Sequence, residues 1–258
     1  MSAPWLLAIE TSVADGAVAL AAGAQVMGVE RLAIDRRHAA ELFPAIQRML
    51  NAHRIRAGEL AVTAFSAGPG SFTGLRMAAV TAQMLAATTG CAVVAVPTME
   101  VIAAGVSDAA SRRIAVMLTA KRGQIFGAAY GMTRSPSGDF DVTVEAPPGR
   151  FAPADWLAAP RSPCRIVADT ATGNADAESR DAPKTGRGPV PQAEGVEWLI
   201  GPEYTAPRVE IVARLGWQRF VAGQTCPDGP IVPLYLRPPE CEEVYEQRRA
   251  AARERRGE

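Results

Sequence analysis

Three segments carry residues that could do chemistry. Glu10-Thr11-Ser12 ends an apolar run. There a carboxylate could hold Mg²⁺ through water, and two hydroxyls could reach phosphate oxygens. Gly68-Pro69-Gly70-Ser71-Phe72-Thr73-Gly74-Leu75-Arg76 lies between a strand pattern and a helix pattern. Free N–H groups at a helix start bind anions, and glycines let a ligand come close. Yet no Lys-Ser/Thr follows, and Gly68, Gly70 and Gly74 miss the dinucleotide spacing. Glu10, Thr11, Ser12, Gly68 and Gly70 are therefore candidate nucleotide contacts, set against a plain strand end and a tight turn. The third segment is Ala64-Phe65-Ser66-Ala67-Gly68, one residue short of a nucleophile elbow.

Ser66 lacks a base. The two histidines, His38 and His53, both precede it, whereas the elbow's histidine follows its serine. Without a base a hydroxyl is a poor nucleophile. The histidines are 15 residues apart, about 22 Å along a helix, too far to share an ion. Cys91, Cys164, Cys226 and Cys241 are scattered, with neither zinc nor disulfide spacing. The residues imply no catalytic group and no metal site.

The elements that must position these residues follow from pattern. Trp5 to Glu10, Gly16 to Ala22 and Gln25 to Ala33 read as a three-stranded meander. His38 to His53 is helical, with Leu42, Ile46, Met49 and Leu50 on one face; Pro44 places its start nearer Glu41. Ala61 to Ser66 is a strand, Phe72 to Thr89 a helix stopped by Gly90, and Ala92 to Val96 a strand. Thr98 is placed to cap a helix over Met99 to Ala104. Ile114 to Leu118, Gln124 to Tyr130 and Phe140 to Glu145 repeat the meander. Arg208 to Phe220 is an amphipathic helix, Pro230 to Arg237 an extended segment and Glu240 to Arg256 a charged helix. Residues 170–195, rich in Gly, Pro, Asp and Ala, read as a mobile loop.

The Phe72 to Thr89 helix is apolar nearly all round and rich in small residues, so more than one face needs cover. A second subunit could supply it, as could the helix's own domain. The 27 basic and 27 acidic residues leave no basic excess for nucleic acid. Neither a secretory leader nor a membrane span is legible in the 258 residues, so a cytoplasmic protein is expected.

GPGSFTGLR is a motif of the TsaB family, which this chain resembles. LAIETSVADGAVAL, RHAAELFPAIQRML, GCAVVAVPTMEVIA, LTAKRGQIFGAAY and PLYLRPP resemble family segments in order and spacing. The resemblance implies an α/β protein of actin-like ATPase (ribonuclease H-like) fold with two related domains of mixed sheets. Residues 1–108 would form the first domain, joined by a C-terminal helix over 238–256; residues 109–237 would form the second. It also implies a non-catalytic partner of a TsaD-like transferase and a TsaE-like ATPase in forming N6-threonylcarbamoyladenosine (t6A) in tRNA. The family forms homodimers and a heterodimer through the Phe72 to Thr89 region; Phe72, Thr73, Leu75, Arg76, Ala79 and Gln83 are the candidate interface residues here. ATP or ADP and Mg²⁺ would belong to the complex, with no cofactor intrinsic to this chain, and tRNA would be met only through the complex. Thr119 stands where the family commonly carries an aspartate. The rival readings are a free-standing actin-like ATPase or kinase and, further off, a serine hydrolase at Ser66. Arg249, Arg253 and Arg256 form a stripe that suits the helix dipole or, alternatively, tRNA.

Overall fold

The computed structural model describes residues 3–32, 38–108, 113–120, 123–134, 140–158, 164–170 and 196–236. The 171–195 segment, the C-terminal helix expected over 238–256 with its arginines, and the His38 side chain lie outside the described residues.

Near-continuous apolar runs, with alternation only in β3, build a five-stranded sheet from β1 (Trp5–Glu10), β2 (Ala17–Ala22), β3 (Gln25–Arg31), β4 (Leu60–Ser66) and β5 (Ala92–Val96), ordered β3-β2-β1-β4-β5. β1 pairs antiparallel with β2 and parallel with β4. A second sheet uses β6 (Arg113–Thr119), β7 (Ile125–Arg134), β8 (Phe140–Phe151), β9 (Cys164–Ala168) and β10 (Val196–Ile200), ordered β10-β9-β6-β7-β8. Read from β8, this is the order of the first sheet. The repeated meander is thus a repeated topology, β6 standing where β1 stands. β8 runs to Phe151, beyond the Glu145 expected from pattern.

Both faces of the sheet are largely covered at β1, β2, β4 and β5, as their apolar runs require, while edge strand β3 exposes alternate residues. Leu7, Ile9 and Phe65 face α1 (His38–Ala52) and α2 (Phe72–Thr89). Leu6, Ala8 and Ala64 face α3 (Thr98–Gly105) and, after α4 (Pro153–Ala158) and α5 (Pro202–Thr205), α6 (Val209–Val221). That core continues into the second sheet through Ile114, Val116, Tyr130 and Val167. α6 follows the second sheet in the chain yet packs on β1, β4 and β5 of the first. Gly216 permits this, because a Cβ there would overlap the Ala64 side chain. The amphipathic helix of the domain expected over 109–237 therefore belongs to the core of the other sheet.

Two local expectations differ. α1 starts at His38 with Pro44 inside it, not near Glu41. Thr98 is the first helical residue of α3, not its cap, because its hydroxyl is engaged elsewhere: it accepts from Gly68 N at 3.0 Å and meets Ser66 Oγ at 2.8 Å.

Candidate functional site

β1 and β4 run parallel, so Glu10 and Ser66 reach the same end of the sheet, where the glycine loop begins. Ser12 donates its N–H and its hydroxyl to Glu10 Oε1, at 2.6 and 2.5 Å. Glu10 is 1% exposed, and its Oε2 is buried without a hydrogen bond. Burial pushes the carboxyl up to about 7, against the opposing pull of Ser12 and the Ser66 hydroxyl. Ser66 is fully buried, its hydroxyl on Thr98.

The glycine loop closes over this cluster. Ser12 O accepts from Ser71 N at 2.7 Å, and Thr11 Oγ1 donates to Gly74 O at 2.7 Å. A Cβ on Gly70 would lie 2.6 Å from the Ser12 Cβ. Gly68 follows β4 at φ +118°, a conformation that favours glycine. The five candidate nucleotide contacts are thus brought together. Glu10, Thr11 and Ser12 are buried there, and the loop's groups bond the β1–β2 turn. The cluster fixes where α2 starts, with Ser71 Oγ accepting from Gly74 N at its first turn.

In the second sheet Thr119 occupies the strand end that matches Glu10. Asp169, just past β9, accepts from Thr119 N at 2.6 Å and from its hydroxyl at 2.7 Å. A carboxylate therefore stands beside the position where the sequence lacks one, delivered by the neighbouring strand.

α2 has three sides. Gly74, Leu75, Ala78, Ala79 and Ala82 face inward and are buried. The closing segment covers a flank: Leu234 N donates to Ala67 O at 2.7 Å, the Phe72 and Tyr235 rings lie 5.1 Å apart, and Gln83 Nε2 donates to Gly229 O at 3.3 Å. The remaining side is open. Thr73, Arg76, Val80, Met84 and Ala87 lie along it, with Val80 54% and Met84 51% exposed. The six interface residues expected from sequence differ in exposure. Leu75 and Ala79 are 2% and 1% exposed and pack within their own fold. Thr73 and Arg76 are exposed, Phe72 and Gln83 partly buried. Val80 and Met84, which sequence reasoning did not select, are the apolar centre of the face. The signal was present in the spacing: Val80 is four residues from Arg76, and Met84 four from Val80.

Among the described residues no cluster of three or more His, Cys, Asp and Glu could hold a metal. No described helix is long and apolar enough to cross a membrane.

The family model for TsaD, tRNA N6-adenosine threonylcarbamoyltransferase, matches residues 23–141, a span that includes the glycine loop and α2. Among solved structures, an uncharacterized Pseudomonas aeruginosa protein with similarity to peptidase YeaZ aligns at TM-score 0.71 and 22% identity. The alignment covers 90% of this chain and 99% of that one. YeaZ from Pseudomonas aeruginosa aligns at TM-score 0.69 and 20% identity, over 90% and 99% of the two chains. No curated protein matches the sequence. At these identities the structures establish the fold, an α/β architecture of actin-like ATPase type.

Proposed function

We propose that this TsaB-like chain serves t6A formation in tRNA as a scaffold or activator subunit, docking a TsaD-like transferase on the open face of α2. The observation that carries the proposal is the coincidence of two facts. The matched span, residues 23–141, contains GPGSFTGLR, and the helix behind that motif presents Val80 and Met84 to solvent. An apolar side chain half exposed on an otherwise packed helix gains from cover, and each buried CH₂ contributes about 0.8 kcal/mol.

A non-catalytic role is supported by the condition of the groups that could react. Ser66 is fully buried on Thr98, and no histidine follows it in the chain. A nucleophile needs both a path to substrate and a base. This weighs against the hydrolase reading. Glu10, Thr11 and Ser12 are buried beneath the glycine loop and engaged within the chain, which weighs against a free-standing ATPase.

In this reading a TsaE-like ATPase and tRNA join through the assembled complex, nucleotide and Mg²⁺ belong to that complex, and the work is cytoplasmic. Reconstitution tests it. Modification of tRNA by TsaD-like and TsaE-like proteins should require this chain, while the chain alone should neither turn over ATP nor label at Ser66 with a fluorophosphonate. Equal modification without the chain would overturn the proposal.

A further inference from the structure

The fold brings together two thiols that lie far apart in the chain. Cys91 directly follows Gly90, the residue that caps the end of α2, and leads into β5. It is 6% exposed and belongs to the core between α2 and the sheet, its Sγ 3.5 Å from the Thr63 hydroxyl. Cys226 stands in the stretch 221–230, where every other residue is exposed; it turns inward, half-buried against that same core. Both are free thiols, and both line the groove between the end of α2, the start of β5 and the 225–231 segment.

Backbone bonding sets the distance between them. Cys226 N donates to Val93 O at 2.7 Å. Cys91 precedes Val93 by two, so their side chains leave the chain on one face. A residue bonded opposite Val93 lies about 7–8 Å from the residue two before it, Cα to Cα. A disulfide spans about 4.4–6.8 Å, so a shift of about 1 Å in the 225–231 segment closes the gap. Hydrogen bonds hold that segment against α2: Gln83 Nε2 donates to Gly229 O at 3.3 Å, and Ile231 N donates to Gln83 Oε1 at 3.4 Å.

We infer that Cys91 and Cys226 are a redox pair whose disulfide fastens the 225–231 segment to the end of α2. The oxidant is a low-molecular-weight disulfide such as glutathione disulfide. The Cys226 thiolate, the more accessible of the two, attacks one of its sulfurs and releases one glutathione. The Cys91 thiolate then attacks Cys226 Sγ and releases the second. The two protons and two electrons given up by the protein end on the released glutathione thiols.

Glutathione disulfide added to the folded full-length chain tests this, read by peptide mass mapping and hydrogen exchange. The expected product lacks two hydrogens, joins Cys91 to Cys226 and reverts with dithiothreitol. Amide exchange across 225–231 should slow about tenfold or more in the cross-linked chain and recover on reduction. C226S, altered at a half-exposed site, should form no such bond and keep its exchange rates under the same treatment; should it fold poorly, the wild type before and after reduction still decides. A glutathione adduct on Cys226 that never resolves, a bond to Cys164 or Cys241 instead, no oxidation of the folded chain, or a cross-linked chain with unchanged exchange across 225–231 would each overturn the inference.

Discussion

Thr11 donates its hydroxyl to the Gly74 carbonyl at 2.7 Å, and a methyl group on Gly74 would run into the Thr11 carbonyl oxygen. The β1–β2 turn and the first turn of α2 are therefore fastened face to face. Gly74→Ala should lower stability by about 2–3 kcal/mol, since two backbones must part. Gly58→Ala, with no atom within 4 Å of the added carbon, should stay within about 0.5 kcal/mol. Urea unfolding of both variants checks the contrast; equal midpoints would contradict the close approach.

Glu10 predicts a pH dependence of definite sign. Its ordinary value of 4.5 rises to about 7 on folding. Below pH 4.5 folded and unfolded chains both hold the proton. Between 4.5 and about 7 only the folded chain holds it, so stability falls as pH rises. Above that the carboxylate is ionised in both states, and a penalty of about 3 kcal/mol stands in full. Glu10→Gln should flatten this slope and surpass the wild type at about pH 8. Denaturant midpoints across pH measure it, and a wild type no less stable at about pH 8 than at about pH 5 would refute it.

Glu100 and Arg219 join α3 to α6. Arg219 Nη2 donates to Glu100 Oε2 at 2.5 Å, and its Nη1 donates to Ala95 O at 2.7 Å. Burial raises the Glu100 carboxyl while Arg219 pulls it down. Arg219→Met would leave that buried carboxylate without its cation, a loss of about 3 kcal/mol. Adding Glu100→Gln should return part of it. Thermal unfolding of the two variants decides, and a double variant no better than the single would place the loss elsewhere. Arg219 also occupies an outward carbonyl of edge strand β5, as Cys226 N does for Val93 O at 2.7 Å. The edge is thus closed to foreign strands.

Adjacent positions on α2 should respond oppositely to the same charge. Ala79→Glu buries a carboxylate in the core and should unfold the chain; Val80→Glu should leave it folded. Circular dichroism of the two variants separates them. A well-folded Ala79→Glu variant would contradict the packing described.

Local patterns carried much of the architecture. Short apolar runs joined by short connections located both meanders, and glycine at a helix start located the loop and α2. What stayed illegible depended on contacts distant in sequence. Tyr235 reaches Arg76 across 159 residues, and Arg219 reaches Glu100 across 119. No periodicity marks either pair. α2 is apolar on nearly every side, so its pattern could not tell Ala79, facing the sheet, from Val80, facing solvent. Asp169 is not legible around Thr119, because it lies 50 residues further along the chain and the fold brings it there from the end of β9.

Binding of a TsaD-like transferase to the wild-type chain and to V80E/M84E, by isothermal titration beside circular dichroism of both, tests the docking face most directly. The account predicts two equally folded proteins and at least a hundredfold weaker binding by the variant, about 2.7 kcal/mol. Undiminished binding by a folded V80E/M84E would contradict it.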